Sequence, residues 1–336
     1  MTPGAARSTS YRRKLWPLQV PGDPRLAQLV VLGTILALGA GLYDFALDPR
    51  QILLTFASAL IVQAATDRLA GREHINYKSA LITALGIGLL LRADTLWAHP
   101  LAAAAAIASK SLFRARGKHL FNPSCFGVIF ALVALPGVWA SPGQWGDGPL
   151  LAGWIAVAGT IIVSRASCSD TSVGFVLCYG GATLARVLWL GQRLAVLIHR
   201  MASGSLLLFA FFMISDPRTS PDDWRGRLAH CATVAALAFV LGSHFYVTNS
   251  LVWALFIAAP AVAVWDAIFP APRFQWEAKG ESDDLGIETY PDGGAGDDPA
   301  WRARLAPPGA RVLRILRGQG ERHAAQPHVE GGACPS

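Results

Sequence analysis

Residues 249–269 read NSLVWALFIAAPAVAVWDAIF, twenty-one positions with a single charged side chain, Asp266. An α-helix needs about 20 predominantly apolar residues to cross a hydrocarbon layer about 30 Å thick. Nine further runs of this kind lie upstream, at about 28 to 46, 51 to 66, 79 to 91, 98 to 113, 124 to 140, 149 to 164, 172 to 190, 203 to 215 and 228 to 246. The whole chain agrees with them. Its 336 residues are 53% hydrophobic and only 15% charged, against roughly 25% charged in soluble domains, and its mean hydropathy is +0.38. A soluble globular fold is excluded, and the sequence reads as an all-α, polytopic membrane protein of about ten transmembrane helices.

Ten helices of about 20 residues between Arg25 and Phe269 would leave loops of only about five residues, so some spans must be short. The runs Ser79 to Leu91 and Ser203 to Ser215 are the shortest, and each opens with a serine suited to N-capping. Paired short segments at matching places in two halves point to two inverted five-helix repeats with short broken helices and a ligand site between the halves. The chain then divides into a basic N-terminal segment (1–27), a transmembrane domain (28–269) and a tail (270–336). The tail's Pro, Gly and charge, with an acidic run from Glu277 to Asp298, lead us to expect disorder. Ala310 to Arg317 reads either as a basic amphipathic turn at the membrane surface or as ordinary charged tail.

The net charge is +7, yet the basic residues fall between apolar runs instead of along one face, so topology explains them and nucleic acid is not an expected partner. Assuming ten crossings, 24 of the 29 Lys and Arg residues fall on one side, including Arg7, Arg72, Lys110, Arg218 and the tail. Arg50, Arg92, Arg186, Arg193 and Arg200 fall on the other. The positive-inside rule therefore places both termini in the cytoplasm, with the chain in the plasma membrane (the inner membrane of a double-membraned cell) and the lipid bilayer as its first partner. No cleavable signal peptide is expected, because the polar, basic start lacks an apolar core. Cys125, Cys168, Cys178, Cys231 and Cys334 show no C-x-x-C spacing and read as buried thiols.

A helix that begins inside the bilayer leaves its first N–H groups in need of acceptors, which favours a ligand carbonyl or anion at Ser79 and Ser203; ordinary capping at the water interface is the plainer alternative. Asn122-Pro123 and Asp216-Pro217 each place a small polar side chain before a proline, where a helix ends or a turn starts. Asp216, followed by Arg218, is either an interfacial ion pair or a polar lid over a buried cofactor. No G-x-G-x-x-G in a strand–helix setting, no catalytic triad and no metal cluster is discernible. His119 and His244 read as interfacial residues, and Trp97, Trp139, Trp145, Trp224 and Trp253 as an aromatic belt.

Gly117-Lys118-His119-Leu120-Phe121-Asn122-Pro123-Ser124, the string Phe211-Phe212-Met213-Ile214-Ser215-Asp216-Pro217-Arg218-Thr219-Ser220, and Ser79-Ala80-Leu81 upstream resemble the membrane flavoprotein subunits of two redox pumps. These are NqrB, from the sodium-translocating NADH:quinone oxidoreductase, and RnfD, from the Rnf electron transport complex. In length the chain is similar to the short members that accompany enediyne biosynthetic genes. The resemblance implies flavin (riboflavin or FMN) held noncovalently, with Ser79, Asn122, Ser203 and Asp216 as cofactor neighbours. The pump subunits also carry FMN on the threonine of a Ser-(Gly/Ala)-Ala-Thr motif between the fifth and sixth spans. Here that segment, about Gly137 to Gly148, contains Ser141 and no threonine, so the covalent site is absent. Gly181-Ala182-Thr183 imitates the motif without its serine, inside an apolar run.

The resemblance thus implies an electron-transfer protein relaying electrons to or from partner redox subunits. A transporter on the same repeat and a cofactorless anchor for a biosynthetic enzyme are the alternatives.

Overall fold

A computed structural model describes residues 24–42, 47–72, 74–140, 149–165 and 169–271. The segment before residue 24, the tail with its acidic run and 310–317, Cys168, Cys334, and the 141–148 segment with Ser141 and Trp145 lie outside the described residues. The described chain is helical: α1 (Pro24–Leu42), α2 (Pro49–Leu69), α3 (Tyr77–Leu90), α4 (Ala98–Leu112), α5 (Pro123–Ala134), α6 (Pro149–Arg165), α7 (Ser169–Trp189), α8 (Leu194–Met201), α9 (Gly204–Leu208), α10 (Trp224–Ser243) and α11 (Ser250–Ile268). A π-helical turn, Phe209–Met213, continues α9. Two antiparallel ribbons join helix ends: β1 (Leu91–Ala93) pairs with β4 (Val138–Ala140), and β2 (Arg114–Ala115) with β3 (Lys118–His119).

Each of the ten apolar runs contains a helix, because hydropathy dominates where the surroundings are lipid. The element missing from the sequence reading is α8. Arg193 and Arg200 bracket its short apolar stretch, which made it read as a loop, and none of its residues is buried. Among the described residues α2, α7, α10 and α11 are long and apolar enough to cross a membrane alone. The bent pair formed by α8 and α9 with its π turn, broken at 50°, makes a fifth. Helices α1, α3, α5 and α6 are apolar but short. Leu53, Ile61, Leu177, Ile257 and Val264 are exposed on helix surfaces, whereas the interior is rich in fully buried alanine such as Ala59, Ala80, Ala102, Ala106 and Ala238. Small residues inside and large apolar ones outside are the pattern of helices packed in lipid. The protein is an all-α, polytopic membrane protein.

Helix starts follow from local chemistry. Asp48, Asn122 and Asp223 sit at N-cap positions and accept hydrogen bonds from the N–H groups of Arg50, Cys125 and Arg225. Pro49 and Pro123 then occupy the first helical position, where their missing N–H costs nothing. The start of α3 departs from the sequence reading: Asn76 is the cap and accepts from the N–H of Ser79, which lies within the first turn. Ser203 does occupy the cap position of α9 but makes no capping bond, and its hydroxyl pairs with that of Ser205 at 2.9 Å.

Two five-element repeats are visible in the packing. Helix α2 packs along α4 as α7 packs along α10, α4 on α5 as α10 on α11, and α1 on α3 as α6 on α9 and the π turn. Helices α2 and α7 each have 21 residues and stop identically. Gly71 and Gly191 take left-handed φ of 70° and 61°, and the following N–H groups of Arg72 and Gln192 reach back to the carbonyls of Asp67 and Val187. That is a Schellman stop, for which glycine is suited. The second repeat carries α8 as an addition. Its short helix also runs the other way: the start of α3 meets the far end of the α9 segment, beyond the π turn, in one cavity.

Candidate functional site

That cavity has a volume of about 130 Å³ and is walled by both repeats. Arg25 and Ser79 come from the first turns of α1 and α3, Asn122 and Ser124 from the start of α5, Ile162 and Val163 from the end of α6, and Phe211, Phe212, Met213, Ser215, Asp216 and Arg218 from the π turn and the loop after it. Gly86 allows α3 and α5 to approach here, since a Cβ on it would fall 2.5 Å from Ser124 Oγ. The π turn, closed by the N–H of Ile214 donating to the Phe209 carbonyl at 3.1 Å, turns Phe211, Phe212 and Met213 into the wall. Such turns concentrate at functional sites.

Three of the four residues singled out in the sequence meet in this wall: Ser79, Asn122 and Asp216. Asn122 bridges the repeats. Its Oδ1 accepts from the Cys125 N–H at 3.1 Å, while Nδ2 lies 3.4 Å from both the Met213 carbonyl and Asp216 Oδ2. Asp216 accepts from the backbone N–H of Arg218 at 3.0 Å. Burial pushes its carboxyl above the ordinary carboxylate range, against the opposing pull of that N–H and of the Arg218 charge. Ser203 does not line the cavity. It begins the segment whose other end supplies Phe211 and Asp216, so the reversed run of the second repeat carries it away from Ser79.

Two residues at the site escaped the sequence reading in this role. Lys110, counted above as a loop charge, is buried in the last turn of α4. Its ammonium donates to Ser79 Oγ at 2.9 Å and to Gln63 Oε1 at 3.3 Å. Gln63 in turn donates to both oxygens of Asp67 at 2.9 Å, and Asp67 also accepts from Arg72 and from the Asn76 N–H. The available signal was one lysine inside the alanine-rich run Ala102 to Leu112, since an ionisable residue in an apolar helix is a site hypothesis by default. His119, read as interfacial, stands in the cavity wall instead. Burial lowers its pKa to about 3, helped by the charges of Arg218, Lys110 and Arg114, so the imidazole is neutral.

A second, smaller cavity shares His119 and is lined by Lys118, Asp222 and Asp266. Lys118 Nζ lies 3.0 Å from Asp222 and 2.9 Å from Asp266, tying the β2–β3 ribbon to both ends of the α10–α11 pair. Ala271, just past α11, lines the same space, so the helical domain begins and ends at one end of the bundle. Among the described residues no cluster of His, Cys, Asp or Glu is placed to hold a metal ion. Thr183 is buried on α7 and donates its hydroxyl to the Tyr179 carbonyl at 2.8 Å. Trp97, Trp139 and Trp224 are exposed, whereas Trp253 is half-buried edge-on to Phe256, and Cys178, expected to be buried like Cys125 and Cys231, is exposed on α7.

The NQR2, RnfD, RnfE family matches residues 24–191, half of the chain. The chain belongs to this family. The matched region carries α1 to α7, and with them Ser79, Lys110, His119 and Asn122, while Asp216 lies beyond it. Two relatives extend the similarity further. The D subunit of the ion-translocating oxidoreductase complex of Cronobacter sakazakii is 25% identical over 329 residues, covering 74% of this chain and 93% of the relative. Its counterpart from Erwinia tasmaniensis is 24% identical over 338 residues, covering 76% and 95%.

Proposed function

We propose that this protein is a membrane electron-transfer subunit that holds a flavin, riboflavin or FMN, noncovalently in the larger cavity and relays electrons to or from partner redox subunits. The relatives' place in ion-translocating oxidoreductase complexes supports both the redox assignment and the presence of partners. The positive-inside count supports a plasma-membrane setting with the cavity end facing the cytoplasm. The observation that carries the cofactor assignment is convergence: three polar residues chosen from motifs more than 130 positions apart in sequence, Ser79 to Asp216, share one wall.

The residues fit part of a flavin well. Hydroxyl, amide, imidazole and carboxyl groups cluster at Ser79, Asn122, His119 and Asp216, while Leu89, Leu208, Phe211 and Phe212 supply apolar wall. That combination suits a ring with a polar edge. The cavity volume is near that of an engineered cavity of about 150 Å³ that holds one benzene ring. It therefore suits the hydrogen-bonding end of the ring system, with the remainder leaving through the open side. Flavin supplies one- and two-electron transfer when bound, and the protein's contribution is position and electrostatics. Thr183, with its hydroxyl spent inside α7, is unsuited to a phosphoester.

Absorbance of the detergent-purified chain tests the proposal. Flavin bands are expected, and after denaturation and filtration the flavin passes into the filtrate. A colourless preparation, or a fluorescent protein band on a denaturing gel that vanishes in Thr183→Ala, contradicts it.

A further inference from the structure

Several polar side chains of the cavity wall direct their protons to partners within the protein. Thr83 donates to the Ser79 carbonyl at 2.9 Å, Ser124 to the Thr83 carbonyl at 3.3 Å and Ser215 to the Phe211 carbonyl at 2.5 Å, while Asn122 serves its helix cap and residues 213 and 216. Ser79 and His119 differ, and one residue governs both. An ammonium can only donate, so the Ser79 oxygen must accept from Lys110 Nζ at 2.9 Å, and the serine keeps its own proton to offer elsewhere. A carbonyl can only accept, so His119 Nδ1, 3.2 Å from the Lys110 carbonyl, must carry the ring proton. In the neutral ring this leaves Nε2 as an acceptor. Both residues line the cavity and Lys110 does not.

We infer that Lys110 is a positioning residue that fixes a donor at Ser79 and an acceptor at His119, and so selects a ligand edge with an acceptor beside a donor, as in the C=O and N–H of a cyclic amide or imide. The inference rests on the flavin reading above and sharpens it: the pyrimidine part of a flavin has such an edge at N3, whereas a quinone presents carbonyls without an N–H. A buried polar pair of this kind rejects a ligand that leaves one member unmatched more strongly than it rewards a match.

Lumiflavin and 3-methyllumiflavin, which differ only in the N3 proton, are the probes, with binding read by fluorescence quenching on the full chain in detergent after bound flavin is removed. The wild type should bind the methylated compound tenfold or more weakly, and in His119→Phe the two should bind alike. Lys110→Met should weaken lumiflavin tenfold, Lys110→Arg should restore it, and adding Ser79→Ala to Lys110→Met should cost nothing more, because the lysine acts through the serine. Elution as a monodisperse peak checks folding. Should Lys110→Met fail that check, the wild-type and His119→Phe comparison still decides. Equal wild-type binding of the two compounds, or additive losses in the double variant, overturns this inference and leaves the cofactor assignment standing. Absence of binding to both compounds, with no flavin in the purified protein, overturns the assignment and the inference together.

Discussion

The α2–α4 seam of the first repeat and the α7–α10 seam of the second share a geometry and differ in chemistry. Both pair a 21-residue helix, stopped by a left-handed glycine, with a neighbour that runs in the same direction. Contacts advance together along each pair, from Thr55–His99 to Gln63–Lys110 in the first and from Asp170–Arg227 to Arg186–Ser243 in the second. On α2 the buried positions are Gln51, Thr55, Ala59, Gln63 and Asp67, and α4 answers with His99, Ser109 and Lys110. On α7 the equivalent stripe is Thr171, Phe175, Thr183 and Val187, and the buried positions of α10 are Gly226, His230, Cys231, Val234, Ala235 and Ala238. Among the hydroxyls of α7, Ser172 donates to the Ala210 carbonyl at 2.6 Å and Thr183 to the Tyr179 carbonyl at 2.8 Å, while Thr171 turns to Asp170. Charged and amide groups in an apolar interior are costly unless paired. The backbone features common to both repeats specify the fold, while the first seam carries more of the buried amide and charged groups, Gln63, Asp67 and Lys110, than the second, where His230 is buried.

The junction between the repeats should be the most sensitive point. Lys118→Met leaves Asp222 and Asp266 buried without their shared cation, and should destabilise the protein by about 3–5 kcal/mol, read as a lowered thermal midpoint in detergent. Arg227→Met, which loses a more exposed pair with Asp170, should cost only about 0–1 kcal/mol. Equal shifts would remove the Lys118 cluster as the clasp between the halves.

Exchanging equivalent residues breaks the comparison more finely. Asp67→Val installs the residue found at the matching position of α7, Val187, but removes the carboxylate that accepts from Gln63, Arg72 and the Asn76 N–H. A loss of about 3 kcal/mol is expected, against about 1 kcal/mol for Val187→Ala. Comparable losses would mean that the two seams are energetically alike.

A graded pH effect comes last. The folded-state pKa of His119 lies at about 3, below its ordinary value of 6.5, so the fold favours the neutral ring. Its contribution is complete above pH 6.5 and is lost as the pH falls toward 3, where the unfolded chain has already taken up a proton. His119→Phe should flatten the midpoint-against-pH curve over that window, and an unchanged slope would show that another group governs it.

Much of this was legible in the sequence, for reasons that differ by element. The ten apolar runs located their helices because each had to satisfy lipid. Asn122 and Asp216 stood out because a polar residue before proline inside an apolar chain needs a partner, and in the structure each is the other's. The start of α3 was misplaced by three residues because Asn76 outcompeted Ser79 as cap. Ser203 shares the sequence context of Ser79 but not its location, since inversion of the second repeat sends the start of its short helix to the opposite end. Lys110 was absorbed into a charge count, and only the packing of α4 against α2 and α3 revealed that its ammonium faces a serine.

Flavin content of paired variants tests the central claim, that one end of the first repeat and the reversed end of the second make a single flavin site. Asn122→Leu and Asp216→Leu each remove hydrogen-bonding capacity worth about 1–3 kcal/mol, while Ser203→Ala touches the equivalent serine outside the cavity. With all three variants eluting as monodisperse peaks, flavin per chain should fall about tenfold or more in the first two and match the wild type in Ser203→Ala. Full occupancy in both leucine variants, or a loss confined to Ser203→Ala, would contradict the site.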